Sequence, residues 1–405
     1  MPGSNYDFVI LGAGMVGLTI AIEVKRRYPD QSVLVIDKEG AAGKHSSGRN
    51  SGVLHSGIYY PPNSLKAKLC NQGAKELKQY CEDKKLPVSK IGKILVTTRA
   101  EDAGQLEMLV ERAAANRIDA VRLDETQLKE LEPEARSANG KALFVEQTSV
   151  VDPAAVLNSV LSDALEAGVE IRYHTAITEV DVSGRTLRGA DVAIGYGHVV
   201  NAAGLHADTV AHLFAVGDRY TLLPFKGIYW KLSPNSGIRV RHLIYPVPDL
   251  RVPFLGVHTT TSISGDTYLG PTAVPAFGRE NYVGFEDVTM PELVRIGGLL
   301  VQQIAAGRDG FRRLAWQEGR RYFKPWFVEA ARAILPRLRA DDLIRTSKVG
   351  IRAQMLDRES GRLVNDFLVE RGKHSTHVLN AISPAFTSSF AFARYIVDTF
   401  LRQAN

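Results

Sequence analysis

The 405 residues carry 45% hydrophobic and 23% charged side chains, an ordinary balance for a soluble globular chain long enough for two or three structural units. No window holds the run of roughly 18 apolar residues that a membrane-spanning helix needs, and two cysteines exclude a disulfide framework. The net charge of +6 is concentrated between Arg308 and Arg339, where nine Lys/Arg stand against three acids and two of the three tryptophans, Trp316 and Trp326, are found. That stretch predicts either a solvated helical face or a basic, aromatic surface for peripheral contact with anionic lipid. No nucleic-acid recognition motif accompanies it, so no nucleic-acid partner is expected.

In chain order, Tyr6–Leu11 reads as a short strand that runs straight into a glycine motif. It is therefore not an export signal, and a bacterial-type cytoplasmic location or a mature organelle chain is expected. Met15, Leu18, Ala21, Ile22 and Val24 form a helical stripe over 15–27, with Pro29 just beyond it. Ser32–Ile36 is a continuously apolar strand of the buried parallel kind. A helix is predicted over Ser64–Glu82, holding Cys70 and Cys81 roughly 16 Å apart and so beyond disulfide reach. Ile91–Thr98 predicts a strand, Glu101–Asn116 a helix, and 152–167 a helix with Asp152 as N-cap, Pro153 in its first position and Gly168 closing it. Strands follow near 169–173, 177–182 and 198–201. From Tyr220 to Tyr268, strands broken by Pro and Gly predict a mostly antiparallel sheet. Helices return from Pro291 to about Leu335, and the last spans Ser388–Leu401. The two kinds of structure interleave, so the domains are expected to be discontinuous in sequence.

Gly12-Ala-Gly14-Met-Val-Gly17 lies between the first strand and the first helix, the setting in which a glycine pattern signals a dinucleotide. Gly12 suits a tight turn, Gly14 a close approach to pyrophosphate, and Gly17 close helix–strand packing. Asp37 follows 20 residues after Gly17, where a carboxylate can accept from a ribose hydroxyl. The motif alone does not separate flavin from nicotinamide dinucleotides.

Beyond this unit come Ser47-Gly-Arg-Asn-Ser-Gly-Val-Leu-His-Ser-Gly-Ile-Tyr-Tyr60 and Ser64-Leu-Lys-Ala-Lys-Leu-Cys70. Further on are Val200-Asn-Ala-Ala-Gly204, Ile244-Tyr-Pro-Val-Pro-Asp249, Pro253-Phe-Leu-Gly-Val-His258, Leu269-Gly-Pro271, Gly350-Ile-Arg-Ala-Gln354 and Asn380-Ala-Ile-Ser-Pro-Ala-Phe-Thr-Ser-Ser389. In this order, over nearly the whole chain, they resemble the L-2-hydroxyglutarate dehydrogenase/oxidase family, within the D-amino-acid-oxidase-like flavoproteins. Ile382 and Phe386 depart from the family's usual Pro and Ala, Lys226-Gly227 stands for its Arg-Gly, and His258-Thr-Thr260 for its His-Phe-Thr. The resemblance implies an α/β fold: a Rossmann-like FAD-binding domain (1–85, 152–215 and 340–405) with a mostly antiparallel substrate domain plus helices (86–151 and 216–339). It further implies FAD, bound without a covalent link, oxidising a small dicarboxylate and passing electrons to a quinone, another acceptor or oxygen. His45 is the one histidine near the flavin loop that could form a link, and no metal is expected.

On this reading the cofactor is held by Gly12, Gly14, Met15, Gly17, Asp37 and Lys38; by Ser47, Asn50, Ser51, Gly52, Ala203 and Gly204; and by Gly350, Arg352, Ser383, Ala385, Phe386, Thr387 and Ser388. A helix starting near Thr387 would aim its N-terminus at the flavin, where its dipole stabilises negative charge. A 2-hydroxy acid loses a hydride from its α-carbon and a proton from its hydroxyl, and neutral histidine suits that proton. His258 is favoured as base, with His55 as a flavin or substrate contact. Arg352 is the expected bidentate clamp for the first carboxylate. Lys226, Lys68 and Arg279 are candidates for the second, and Tyr59 or Tyr245 for a hydrogen bond. An amine-oxidising relative acting on glycine or sarcosine, and a non-catalytic flavin-binding protein, are the alternatives.

Overall fold

The computed structural model describes residues 4–249 and 254–401. β1 (Ser4–Leu11) leads through the glycine turn into α1 (Met15–Arg27) and β2 (Val33–Ile36). The last four residues of β1 and all of β2 are buried, as parallel strands covered on both faces must be. Ser64 Oγ caps α2 (Leu65–Asp83) by accepting from Ala67 N, and the Asp366 carboxylate accepts from Leu65 N and Lys66 N at 2.7 and 2.9 Å. Cys70 and Cys81 face the core from this helix as free thiols. After β3 (Lys93–Val96), Asp152 caps α3 (Pro153–Glu166) by accepting from Ala154 N and Ala155 N.

β4 (Ala193–Asn201) completes the centre of an eight-stranded sheet. β1 lies between β2 and β4, parallel to both, with Val9 opposite Leu34 and Val199. Strand 170–172 extends the sheet beyond β2, and 186–188 and 179–181 extend it beyond β4. The chain then builds β5 (Phe225–Leu232), β6 (Leu243–Pro246), β7 (His258–Thr261) and β8 (Thr267–Gly270). Next come α4 (Met290–Ala306), α5 (Phe311–Arg321) and α6 (Lys324–Arg332), followed by β9 (Leu343–Arg352). β5 pairs antiparallel with β8, β9 and the short strand 274–275, and β8 pairs antiparallel with β7. β6 instead joins β3 in parallel, so the region is mostly but not wholly antiparallel. β10 (Ser375–Asn380) returns to the first sheet beside β4, and α7 (Ala385–Ile396) packs on α1 and α2.

Three departures from expectation have physical causes. The predicted helical region after 291 is three helices; the first break falls where Gly307 and Gly310 take left-handed φ of 61° and 77°, and Pro325 stands in the first turn of the third helix. The last helix begins at Ala385, three residues before the expected Ser388. Most consequentially, β9, which the sequence reading grouped with the nucleotide-binding segments, hydrogen-bonds along β5 and sets Arg352 opposite Phe225.

A Cβ on Gly17 would lie 2.0 Å from the Gly12 carbonyl oxygen, an immovable backbone atom. Gly17→Ala is therefore expected to destabilise the protein by about 1–3 kcal/mol. Gly298→Ala, in open space mid-helix, should add about 0.5–1 kcal/mol. Urea unfolding checks both.

Candidate active site

A groove opens at the C-terminal ends of β1, β2 and β4, the crevice where doubly wound sheets bind nucleotides. Gly12 has φ of 115°, and a Cβ there would lie 2.5 Å from Ala202 O; one on Gly14 would lie 2.9 Å from Ser47 Oγ. At the start of α1, Ser47 Oγ accepts from Met15 N at 2.9 Å, and Gly14, having no side chain, leaves the approach to the helix N-terminus open to an anion. Asp37 is fixed by accepting from Ala13 N and Glu39 N at 2.8 and 2.9 Å. Lys38, Ala203 and Gly204 line the same half. A narrow glycine cradle, a fixed carboxylate and an open helix N-terminus fit a dinucleotide. His45 lies in this nucleotide half, bonded to Tyr282 Oη and Glu39, with Glu280 at 3.4 Å. Glu280 also pairs with Lys38 and His206 at 2.7 Å each.

The groove continues through Gly14, Ser46, Ser47, Ala202 and Gly204 into a second cavity. Met15, Asn50, Ser51, Gly350, Ser383, Ala385, Phe386 and Thr387 line it, so the N-terminal turn of α7 faces inward. Thr387 Oγ1 accepts from His55 N and donates to Val53 O. Three expected cofactor contacts lie behind the wall. Gly17 packs under the turn, and Gly52 shapes the loop with φ of 75°. Ser388 is pressed against α2, where a Cβ on Gly73 would lie 2.6 Å from its Cα.

At the far end His55, His258, Tyr245, Tyr229 and Arg352 share the cavity wall. A β-bulge between Ile228 and Trp230 re-aims the strand at Tyr229. His258 Nδ1 lies 2.9 Å from the Gly256 carbonyl oxygen. A carbonyl can only accept, so Nδ1 carries the proton and Nε2 keeps a basic lone pair. Burial, reinforced by the Arg352 and Lys93 charges, pushes His258 down to about 3 against the Gly256 bond; burial and the same two cations do likewise to His55. Both rings are neutral at physiological pH. Arg352 is buried across the Phe254 ring, 5.1 Å from its centroid, and its Nη1 has no hydrogen-bond partner among the described residues.

The three other expected cations are elsewhere. Lys68 is exposed on α2, on the opposite side from buried Lys66 and Ala67. Lys226 points away from the cavity and donates to Asn281 Oδ1 at 2.8 Å, as alternation along β5 demands when Gly227 and Tyr229 face inward. Arg279 is consumed by Asp208, Glu292 and the Leu205 carbonyl. The sequence reading missed Lys93, which is fully buried on β3 with Nζ 4.8 Å from the Tyr59 ring and 5.3 Å from that of Tyr245. One charge inside an otherwise apolar strand, Lys93-Ile-Leu-Val96, was the available signal. Pro253, part of one matched segment, lies outside the described residues.

A dinucleotide crevice continuous with a buried cationic pocket defines a nucleotide-dependent oxidoreductase. Residues 7–399 match the family described as FAD dependent oxidoreductase (DAO). The chain belongs to that family, and its cofactor is FAD. It is similar to the L-2-hydroxyglutarate dehydrogenase of Indibacter alkaliphilus, at 34% identity over 98% of this chain and 100% of that protein. It is also similar to the mitochondrial enzyme of that name from Bos taurus, at 35% identity over 98% and 88%. Among solved structures, the FAD-bound L-alpha-glycerophosphate oxidase of Mycoplasma pneumoniae shares the fold, with a TM-score of 0.74 at 23% identity, covering 97% of this chain and 94% of that one.

The buried histidines make the protein acid-labile. Their folded-state pKa of about 3 lies below the ordinary 6.5, so on acidification the unfolded chain takes up protons first. Stability is full above pH 6.5 and is lost as pH falls toward 3, by at most about 1.4 kcal/mol per pH unit for each ring. Urea unfolding between pH 7 and 5 should show this fall. The doubly substituted His55→Gln/His258→Gln protein should show a shallower one; an unaltered slope refutes the assignment.

Proposed function

We propose that the protein oxidises L-2-hydroxyglutarate to 2-oxoglutarate. One observation carries this reading: a buried, incompletely paired guanidinium shares a cavity with a neutral histidine whose basic nitrogen is free, at the end of the FAD groove. The substrate named for the relatives at 34–35% identity has the matching chemistry. FAD, when bound, supplies a two-electron acceptor for the hydride leaving the α-carbon. The rest is assigned to the chain. Arg352 grips the carboxylate beside the reacting carbon, fixing which hydrogen faces the cofactor. His258 Nε2 accepts the hydroxyl proton as the C–O bond becomes a carbonyl, and Gly256 O steadies the imidazolium through Nδ1–H. His55, tethered by Thr387, orients the hydroxyl. The N-terminal turn of α7 and the two cations favour negative charge in the cavity.

Anaerobic L-2-hydroxyglutarate is expected to bleach the bound flavin, whereas D-2-hydroxyglutarate, lactate, glycine and sarcosine are expected to do so poorly. A spectrum untouched by L-2-hydroxyglutarate ends this reading. His258→Gln should retain yellow FAD yet slow its reduction by about 10²–10⁴-fold. A near-normal rate would transfer the proton to His55.

Electrons then pass to an acceptor, either a quinone or oxygen. For a quinone, the apolar and basic face of α4–α6, with the loop that precedes it, suits peripheral contact with an anionic membrane. In that loop Phe285 is 80% exposed, on α5 Trp316 is 68% exposed, and the Arg320 guanidinium lies 3.3 Å from the Trp326 ring centroid. No helix among the described residues is long and apolar enough to cross a membrane. The protein should co-sediment with phosphatidylglycerol vesicles and not with phosphatidylcholine alone, and Trp316→Ser with Phe285→Ser should weaken this. Equal sedimentation with both lipids argues against the surface.

A further inference from the structure

Lys93 poses an electrostatic problem that the fold does not solve. Its side chain is fully buried, and Nζ has no hydrogen-bond partner and no carboxylate at ion-pair distance among the described residues. A buried ammonium left unpaired is strongly destabilising, and an anion brought to it recovers much of that cost. Its surroundings supply none. Tyr59 and Tyr245 present ring faces, and Cys70, whose thiol burial pushes up to about 12, stays uncharged. Burial likewise lowers Lys93 itself to about 8.

The position of this charge is informative. Tyr245, one of the rings beneath it, stacks on His258 with centroids 3.8 Å apart, and Tyr245 and His258 both line the cavity. The hydroxyl of Tyr59, whose ring lies under Lys93, also lacks a hydrogen-bond partner among the described residues. Lys93 and Arg352 each act on both His55 and His258, so the two histidines feel a buried cation from each of two strands, β3 and β9. Arg352 is approached from the Phe254 side and Lys93 from the Tyr59 and Tyr245 side. A molecule whose hydroxyl meets either imidazole therefore has one cation for each of two anionic ends.

We infer that Lys93 is the anchor for the distal carboxylate of a dicarboxylate substrate, with the Tyr59 hydroxyl as a second donor to it. This rests on the 2-hydroxy acid reading above and assigns its length selectivity to one side chain. Lys226 and Arg279 cannot take the part, being paired, and Lys68 is exposed on the outer side of α2, whereas Lys93 lies unpaired directly behind the wall formed by Tyr245. A monocarboxylate of the same length would leave the ammonium buried and unpaired, so the pocket rejects it by what it fails to neutralise.

The test uses the FAD-loaded protein and a pair of ligands that need no turnover: 2-oxoglutarate, and 2-oxopentanoate, which has the same chain length without the distal carboxylate. Binding is read by the shift in melting temperature and by perturbation of the flavin spectrum. The wild-type protein should prefer 2-oxoglutarate, and Lys93→Met should lose at least about 30-fold of that preference. Without ligand, Lys93→Met should melt no lower than wild type, because it removes a buried unpaired charge. Lys93→Gln offers a polar substitute should the methionine variant fold poorly, and Lys93→Arg should restore part of the preference. A variant lacking the ammonium that keeps the full preference for 2-oxoglutarate overturns the assignment. Loss of preference in a protein whose flavin L-2-hydroxyglutarate cannot bleach would leave the anchor standing and remove the proposed reaction instead.

Discussion

A methyl group at Gly350 would sit 2.6 Å from the carbonyl oxygen of Arg49, so β9 and the loop that follows the nucleotide unit meet backbone to backbone. That approach allows one groove to run from Asp37 to Arg352. β9 belongs by hydrogen bonding to the antiparallel sheet, yet its end reaches the loop that lines the cofactor groove. Two residues beyond the contact, Arg352 turns into the cavity. The nucleotide sheet and the sheet bearing His258 are thus brought into fixed relation at a point where no side chain intervenes. A bulkier residue there would part them.

The electrostatics follow from that junction. Arg352 lines the pocket that holds the two histidines, and Lys93 lies behind its wall over the Tyr245 ring; among the described residues neither has a carboxylate at ion-pair distance. Each cation disfavours protonation of the rings, and burial disfavours it more. The unbalanced charge thereby keeps both rings neutral. Arg279, by contrast, is buried in an ion pair with Asp208, which sets Lys93 and Arg352 apart from it. Fold stability is sacrificed locally, and a bound anion restores it.

The glycine turn, Asp37 and the α3 cap were legible in the sequence because each is decided by neighbours along the chain. His55, His258 and Arg352 were reached through resemblance, and they share one wall of the cavity. The lysines were not legible. Lys66 and Lys68 are two positions apart on a helix, which turns them to different sides, and only packing fixes which side is inward. Arg279 looked free because its partner Asp208 is 71 residues away. Lys93 was hidden by the apolar strand around it. The pairing of β9 with β5 was hidden for a related reason: strand partners separated by over a hundred residues leave no local trace.

Thr387 joins three things through one oxygen: the first turn of α7, the carbonyl of Val53 and the amide of His55. The mouth of the helix and the imidazole-bearing loop are thus fastened to each other at a single atom, on the cavity wall that Thr387 and His55 share. Removing that oxygen would release the backbone of both segments at once.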